Sequence, residues 1–324
     1  MMKAISIIVA ICLLITSCAT SSIIDDPYGS LSRDDFLTAR GYGPTAEKAE
    51  LNAKVELASF FGSAVKSVTA RTITENKKGY DESFIKASEI VIDTEDLYGI
   101  EIAKTVKGKD GSYTSVAMMD KASAVAVYKA QQADMLDSLR TLEADKPLSD
   151  GSLASLEKAV SYYRLAEKYN KYVSIINYLE GSEIPFYDIR IAESVYSSAS
   201  DSICLEISIA GDDTGRVEST VAEILTGFGL KVSGGLEMPT AITEGIIDFR
   251  QVQGTGVASD FVFAEFDAEI RLRDLVSDRI VFAYSTHGRE GHQSYESAKI
   301  RALSVVEDEL RTAFAEQLSD LYSI

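Results

Sequence analysis

Ala39-Arg40-Gly41-Tyr42-Gly43-Pro44-Thr45-Ala46-Glu47-Lys48-Ala49-Glu50-Leu51-Asn52-Ala53 decides how the first half of this chain folds. Ala46, Ala49, Ala53, Leu57, Phe60, Phe61, Ala64 and Val68 recur at steps of three and four, the spacing of one helix face. Thr45 stands where an N-cap belongs. Gly41 and Gly43 read as a tight turn into the helix, since glycine adopts angles that other residues resist. Alanines at the front of the stripe let the helix lie close against a sheet. That sheet follows: 87–93 and 99–107 read as strands, Gly108-Lys109-Asp110-Gly111 as a turn, and 112–119 as the paired strand. Lys121 to Glu143 then forms a second helix with an alanine-rich face.

Asp145-Lys146-Pro147-Leu148-Ser149-Asp150-Gly151 breaks the helical pattern and marks a boundary. Leu153 to Leu179 is another helix, and Pro185 opens a shorter segment to about Ala199. From Ser202 the chain changes character. Ser202 to Ile209 is a strand, Gly215 to Leu225 an amphipathic helix, and Leu230 to Val232 and Ile246 to Val252 short strands. Phe261 to Arg273 and Arg279 to Thr286 form a long hairpin around Asp274 to Asp278. Alternate residues of Ala264-Glu265-Phe266-Asp267-Ala268-Glu269-Ile270-Arg271-Leu272 are apolar, as in a half-buried strand. Ser294 to Tyr322 closes the chain as a helix. Ala49 and Ala53 after Gly43 are echoed by Ala298 and Ala302 after Gly291, a spacing that alanine-bearing helices also give by chance. The expected fold is α+β: two small α/β sandwich modules, helices packed on mostly antiparallel sheets, joined by a helical connector.

At the start of the chain, Lys3 precedes an apolar run from Ala4 to Ile15 interrupted only by Ser6, the form of a secretory leader. The run is short against the roughly 20 apolar residues that a spanning helix needs. It ends on Ile15-Thr16-Ser17-Cys18, which resembles the bacterial lipoprotein signal, where an apolar residue and two small ones precede a cysteine that receives lipid. The resemblance implies cleavage before Cys18 and a lipid anchor there, a diacylglyceryl group and often a third chain of the palmitate class. Several chains together hold a protein on a bilayer far better than one. Cys12 leaves with the leader, Cys18 is capped, and Cys204 remains as a small buried hydrophobe, so no intramolecular disulfide is expected. The expected organisation is 1–17 signal peptide, 18–33 flexible tether, 34–145 first α+β domain, 146–200 helical connector and 201–324 C-terminal α/β domain. A tether of this length reaches about 50 Å when extended.

The stretch from about Ala39 to Leu142 resembles the Lpp-twenty-like bacterial lipoprotein family and the related N-terminal module of flagellar assembly protein T. The residues that carry the resemblance are Gly41-Tyr42-Gly43, the ladder Ala49, Ala53 and Leu57-Ala58, and the passage Tyr113-Thr114-Ser115-Val116-Ala117-Met118-Met119-Asp120-Lys121. It implies an α+β module of cell-envelope lipoproteins with no catalytic residues. By element order alone, the C-terminal part is similar to periplasmic modules of curli-secretion and synthase-activating lipoproteins.

The formal net charge is −18, which gives little attraction for nucleic acid or anionic headgroups, so nucleic acid is set aside as a partner. Two histidines and no tryptophan leave few residues for acid–base or metal chemistry. Asp213-Thr214-Gly215 matches the aspartic-protease tripeptide, but that chemistry needs two carboxylates sharing a proton. Without a second copy it reads as a helix N-terminus capped by Asp213 or Thr214. Ser63-Ala64-Val65-Lys66 matches Ser-x-x-Lys without its companion motifs, and both residues are expected to face solvent. His287, Glu290 and His292 fall together, but Gly288 and Gly291 between them indicate a loop with no evident third metal ligand. Tyr162, Tyr169, Tyr172 and Ile176 form a helical stripe beside Tyr163 and Tyr178, which either stacks on sugars of peptidoglycan or packs on a neighbouring domain with hydroxyls in water. Gly254-Thr255-Gly256 reads as a loop.

The chain is thus expected to be a lipoprotein of the bacterial cell envelope, membrane-attached through Cys18 and not an enzyme, acting as a binding, scaffold or assembly factor with envelope proteins as partners. No catalytic residue, cofactor or metal is expected. Ala19 rather than aspartate after Cys18 favours the outer membrane, with display on the periplasm or the surface. The alternative is a peptidoglycan-binding or cell-wall-processing lipoprotein.

Overall fold

The computed structural model describes residues 23–27, 31–75, 97–144, 150–233, 238–258 and 260–322. Cys12 and Cys18, the leader and the strand expected at 87–93 lie outside the described residues. The chain divides into two compact units. Unit 1 holds residues up to Leu136 together with Tyr169–Phe186, and unit 2 holds Asp137–Lys168 and Tyr187–Ile324. The helices at 153–180 and 189–201, read as a connector, are shared out between these units.

Unit 1 is built on a three-stranded antiparallel sheet of order β1-β3-β2: β1 (Phe36–Gly43), β2 (Ile100–Lys107) and β3 (Tyr113–Asp120). Helix α1 (Ala46–Glu75) lies on one face. The strand β1 corrects the sequence reading, which took Gly41-Tyr42-Gly43 for a turn. Gly41 pairs with Ser115 and Gly43 with Tyr113. The glycines are there because the helix backbone is against them. A Cβ on Gly41 would sit 2.1 Å from the Ala53 nitrogen and 2.3 Å from the Ala49 oxygen, and one on Gly43 2.6 Å from the Ala49 nitrogen. Ala49 and Ala53 are fully buried, so the alanine ladder does let α1 approach the sheet. Thr45 caps α1 as expected, its Oγ1 accepting from the Lys48 N–H at 3.2 Å. The β2–β3 turn falls at Gly108–Gly111, where the Asp110 carboxylate accepts from the Ser112 N–H at 3.1 Å and the Ser112 hydroxyl at 2.7 Å.

The unit 1 core joins Leu57, Phe61 and Val65 of α1 to Tyr128 of α2 (Lys121–Ala144) and to Tyr172, Ile175 and Ile176 of α3 (Leu153–Glu180). Tyr128 meets the Tyr172 ring edge-on at 5.2 Å. Each such side chain, fully buried, contributes roughly 1.5–3 kcal/mol, so this cluster outweighs the surface pairs around it.

Unit 2 carries a five-stranded sheet of order β5-β4-β6-β7-β8: β4 (Cys204–Ala210), β5 (Lys231–Val232), β6 (Ala241–Gln253), β7 (Val262–Asp274) and β8 (Arg279–His292). β4 runs parallel to β5 and β6, and the remaining pairs are antiparallel. Helices α5 (Arg216–Gly227) and α6 (Tyr295–Tyr322) cover one face, after α4 (Ile189–Asp201). The alternation expected in β7 is present: Ala264, Phe266, Ala268, Ile270 and Leu272 are buried, while Asp267 and Glu269 are exposed. β8 corrects a second reading. His287 to His292 continue the strand instead of forming a loop, because a Cβ on Gly288 or Gly291 would lie 2.6 Å from the ring of Phe266 or Phe263. Here glycine makes room for aromatic rings of the neighbouring strand. Cys204 is buried at the start of β4, as expected for a small hydrophobe.

The two kinds of glycine give opposed expectations. Gly41→Ala forces α1 off the sheet against backbone atoms and destabilises unit 1 by about 3 kcal/mol. Gly227→Ala, with nothing within 4 Å of its Cβ, is neutral or stabilises by about 0.5 kcal/mol. Hydrogen exchange along a urea titration reads the two units separately. Equal protection of the β1 amides in wild type and Gly41→Ala contradicts the close-contact account.

Candidate functional site

The residues that follow Cys18 lead onto unit 1. Within the segment read as a tether, Pro27 is buried and Ile23 and Ile24 are half-buried. The Arg40 guanidinium on β1 donates to the Asp25 carbonyl. The Leu31 N–H donates to the Pro27 carbonyl at 3.0 Å, and the Phe36 N–H to the Ser32 carbonyl at 2.9 Å, delivering the chain into β1. Lys121 secures the same region: its N–H donates to the Asp35 carbonyl at 2.9 Å and its Nζ to the Arg33 carbonyl at 2.8 Å. Arg40 stands opposite Val116, whose side chain is buried although it points away from α1. The sequence reading missed Arg40 and Pro27. A cation between Ala39 and Gly41, on the alternate face from both, was the available signal.

A shallow depression of about 660 Å³ lies beside this region. It is lined by Asp34, Asp35, Asp120 and Glu180 with Lys121 and Lys129. Lys129 pairs with Glu180 at 2.7 Å, and Asp120 accepts from the Ser123 N–H at 2.7 Å as the cap of α2. Acids outnumber lysines in this lining, and Glu180 and Asp120 serve the fold.

The motifs singled out in the sequence are occupied by structure. Asp213 is exposed and pairs with Lys299 at 2.8 Å. The start of α5 is held by its neighbour Asp212, not by Asp213 or Thr214. Asp212 accepts from the N–H groups of Arg216 at 3.2 Å and Glu218 at 3.0 Å, and from the Thr214 hydroxyl at 3.0 Å. Ser63 and Lys66 are both exposed on α1, as expected. His287 is exposed and faces away from the core, directly opposite Asp267. Glu290 and His292 fall on the opposite face by strand alternation, so the trio is not brought together. Among the described residues no group of three or more histidine, cysteine or acidic side chains is placed to hold a metal ion. Gly254 to Gly256 is a loop, closed by the Gly254 N–H donating to the Phe261 carbonyl at 2.9 Å.

The tyrosine stripe is not a platform for ligands. Tyr162, Tyr163, Tyr169 and Tyr172 are buried. The Tyr162 hydroxyl does not reach water as expected: it and that of Tyr187 hydrogen-bond each other, with rings edge-on at 6.3 Å. Burial raises both phenols above the usual tyrosine range. Burial, together with the Glu167 and Glu193 carboxylates, pushes Tyr163 up to about 12. Burial also raises Glu167.

No family model matches the chain, and no curated protein matches it, so the Lpp-twenty-like resemblance rests on the residues quoted for it. A solved structure shares its fold, and others match about a third of the chain. The secreted protein HP1454 from the human pathogen Helicobacter pylori is 14% identical with a TM-score of 0.50, over 87% of this chain and 98% of that one. A minor lipoprotein from Acinetobacter baumannii is 15% identical over 36% of this chain and 92% of its own, with a TM-score of 0.26. Lipoprotein GNA1162 from Neisseria meningitidis is 13% identical over 34% of this chain and 99% of its own, with a TM-score of 0.24. The first shows the fold alone, and the other two carry no argument.

Raised tyrosines fix the sign of an alkaline transition. A phenol whose folded pKa lies above its unfolded value of about 10 adds stability in full below pH 10. That stability is lost as pH rises through the folded value. Unfolding free energy is therefore expected to fall between pH 10 and about 12, and Tyr163→Phe to flatten that fall in part. An equal slope in the variant, measured by urea titration across this range, rules Tyr163 out as a contributor.

Proposed function

We propose that this chain is a lipid-anchored lipoprotein of the bacterial cell envelope that acts without catalysis, as a binding or assembly factor for other envelope proteins. The observation that carries the reading is the apolar run Ala4–Ile15 ending on Ile15-Thr16-Ser17-Cys18. Attachment through Cys18 suits a chain in which no helix among the described residues is long and apolar enough to cross a membrane. The fold it shares with a secreted protein of Helicobacter pylori agrees with export. Two separate sheet-and-helix units, with Asp213, His287 and the tyrosines tied into the fold or kept apart, suit recognition by surfaces. Ala19 after the anchor cysteine favours the outer membrane.

A cell-wall reading is less well supported, since the tyrosines that would have stacked on sugars are buried. Such a ligand would need another surface.

Cys18→Ala is expected to move the protein from the membrane pellet to the soluble periplasmic fraction, and to leave its fold unchanged by circular dichroism. A variant that still pellets after a high-salt wash overturns the anchor. Crosslinked capture from membranes with wild type and Cys18→Ala compared tests the second half of the reading. Repeated recovery of no envelope protein by the anchored form overturns it.

A further inference from the structure

We propose that the outer face of the unit 1 sheet, the one turned away from α1, rests on the lipid headgroups of the membrane in which Cys18 is anchored. The inference builds on the lipid-anchor reading above. Its first ground is chain length. Residues 18–33 would let the folded part float free if nothing held them. Asp25 is instead held on the sheet by Arg40, and Pro27 is buried. From Cys18 to Ile23 the chain advances five residues, which reach at most about 18 Å. A span that short keeps the sheet face that receives it beside the bilayer.

The second ground is the chemistry of that face. Strand pairing sets Tyr42, Thr114 and Val106 in one row across it, and Arg40, Val116 and Lys104 in the next. The centre is closed, Val116 being buried, whereas Tyr42 is 61% and Val106 38% exposed at the rim. Lys104 is exposed on this face and Lys109 in the adjoining turn, whereas Lys107, opposite Tyr113, lies on the α1 side over the Tyr113 ring. Glu101 on this face and Asp25 and Asp26 of the segment held on it are the exposed acids, and the Asp110 carboxylate is engaged by Ser112. Lys104 and Lys109 with an aromatic and a valine form an amphipathic rim. Tyrosine and lysine are the side chains that favour the headgroup level. Of the other exposed apolar side chains described in unit 1, which are Leu51, Val55, Phe60, Tyr98 and Val127, Leu51 and Val55 lie on the side of α1 away from the sheet.

The chain contains no tryptophan, so one introduced indole reports its own surroundings. Lipidated full-length Tyr42→Trp and Leu51→Trp are reconstituted in vesicles of phosphatidylethanolamine and phosphatidylglycerol that carry a nitroxide at the headgroup. Indole quenching at position 42 is expected to exceed that at position 51 by at least about twofold, since only the former sits at the interface. Twenty glycine and serine residues inserted between Ala19 and Thr20 should reduce the excess, and so should Lys104→Glu and Lys109→Glu together. Equal quenching at both positions in vesicle-bound protein, or stronger quenching at 51, overturns the proposal and leaves the anchor standing. A wild-type protein that does not float with vesicles overturns the anchor, and this inference with it.

Discussion

The contact on which unit 1 depends is backbone against backbone. α1 lies so near β1 that Gly41 has no room for a Cβ beside Ala49 and Ala53. Side chains normally hold a helix and a sheet about 10 Å apart, so glycine and alanine at the crossing bring the layers closer. That approach sets where the rest of α1 lands. Leu57, Phe61 and Val65, further along, reach the ring cluster of Tyr128 and Tyr172. On the flank, the Thr105 hydroxyl donates to Glu50 at 2.8 Å and lies 3.0 Å from the Ser115 hydroxyl, so polar atoms trapped at the close crossing keep partners. Strand alternation then turns Arg40 and Tyr42 to the opposite face, where the N-terminal segment arrives.

Unit 2 solves the same problem by other means. Its strand-to-helix passage repeats that of unit 1: a hydroxyl cap at Ser294, then Ala298 and Ala302 buried four and eight residues on, as Ala49 and Ala53 follow Thr45. The glycines differ in role. Gly288 and Gly291 accommodate phenyl rings from β7, so the internal echo is one of capping and small-residue spacing, not of a shared contact. Buried polar groups are likewise consumed locally. Asp274, wholly buried at the β7–β8 turn, accepts from the N–H groups of Val276 and Ser277, the Ser277 hydroxyl and the Ala154 N–H. A carboxylate removed from water without such donors would cost several kcal/mol, so this turn is fixed by its hydrogen bonds as much as by packing.

Most elements were legible because their apolar spacing was regular. α1, α2, α3 and α6, the strand β7, and the β2–β3 turn begin and end close to where periodicity and turn residues put them. The failures share one cause. Glycine signals a turn in local terms, yet Gly41, Gly43, Gly288 and Gly291 answer to partners distant in sequence, so β1 was missed and β8 cut short. Gly245 did the same to β6, where a Cβ would meet the Glu269 oxygen at 2.8 Å. The tyrosine stripe misled for a related reason. α3 contributes residues to the cores of both units, so Tyr162 and Tyr172 are each buried where a one-sided helix would leave some hydroxyls wet. Asp212, not Asp213 or Thr214, holds α5 because the loop before the helix curls back, and sequence does not tell which of two adjacent aspartates will be within reach.

The outward face of the unit 2 sheet is laid out by charge more than by packing. With α5 and α6 on one side, the other side of β6, β7 and β8 meets water, and charged residues there alternate with exposed Ile246 and Ile280. Arg250 pairs with Glu265, Arg271 with Glu269 at 3.2 Å, and Arg273 with Asp278 at 2.7 Å. Exposed pairs of this kind contribute about 0–1 kcal/mol each, too little to hold the sheet together. Asp248 stands directly opposite Asp267, an arrangement that costs a few tenths of a kcal/mol. Stability therefore does not select this pattern. A one-sided sheet needs charge on its open face to stay unpaired in solution, and an edge strand as long as β8 needs it most. Arg289, opposite Glu265, supplies it there. A contact made through this open face would set mixed charges against its partner and weaken with salt.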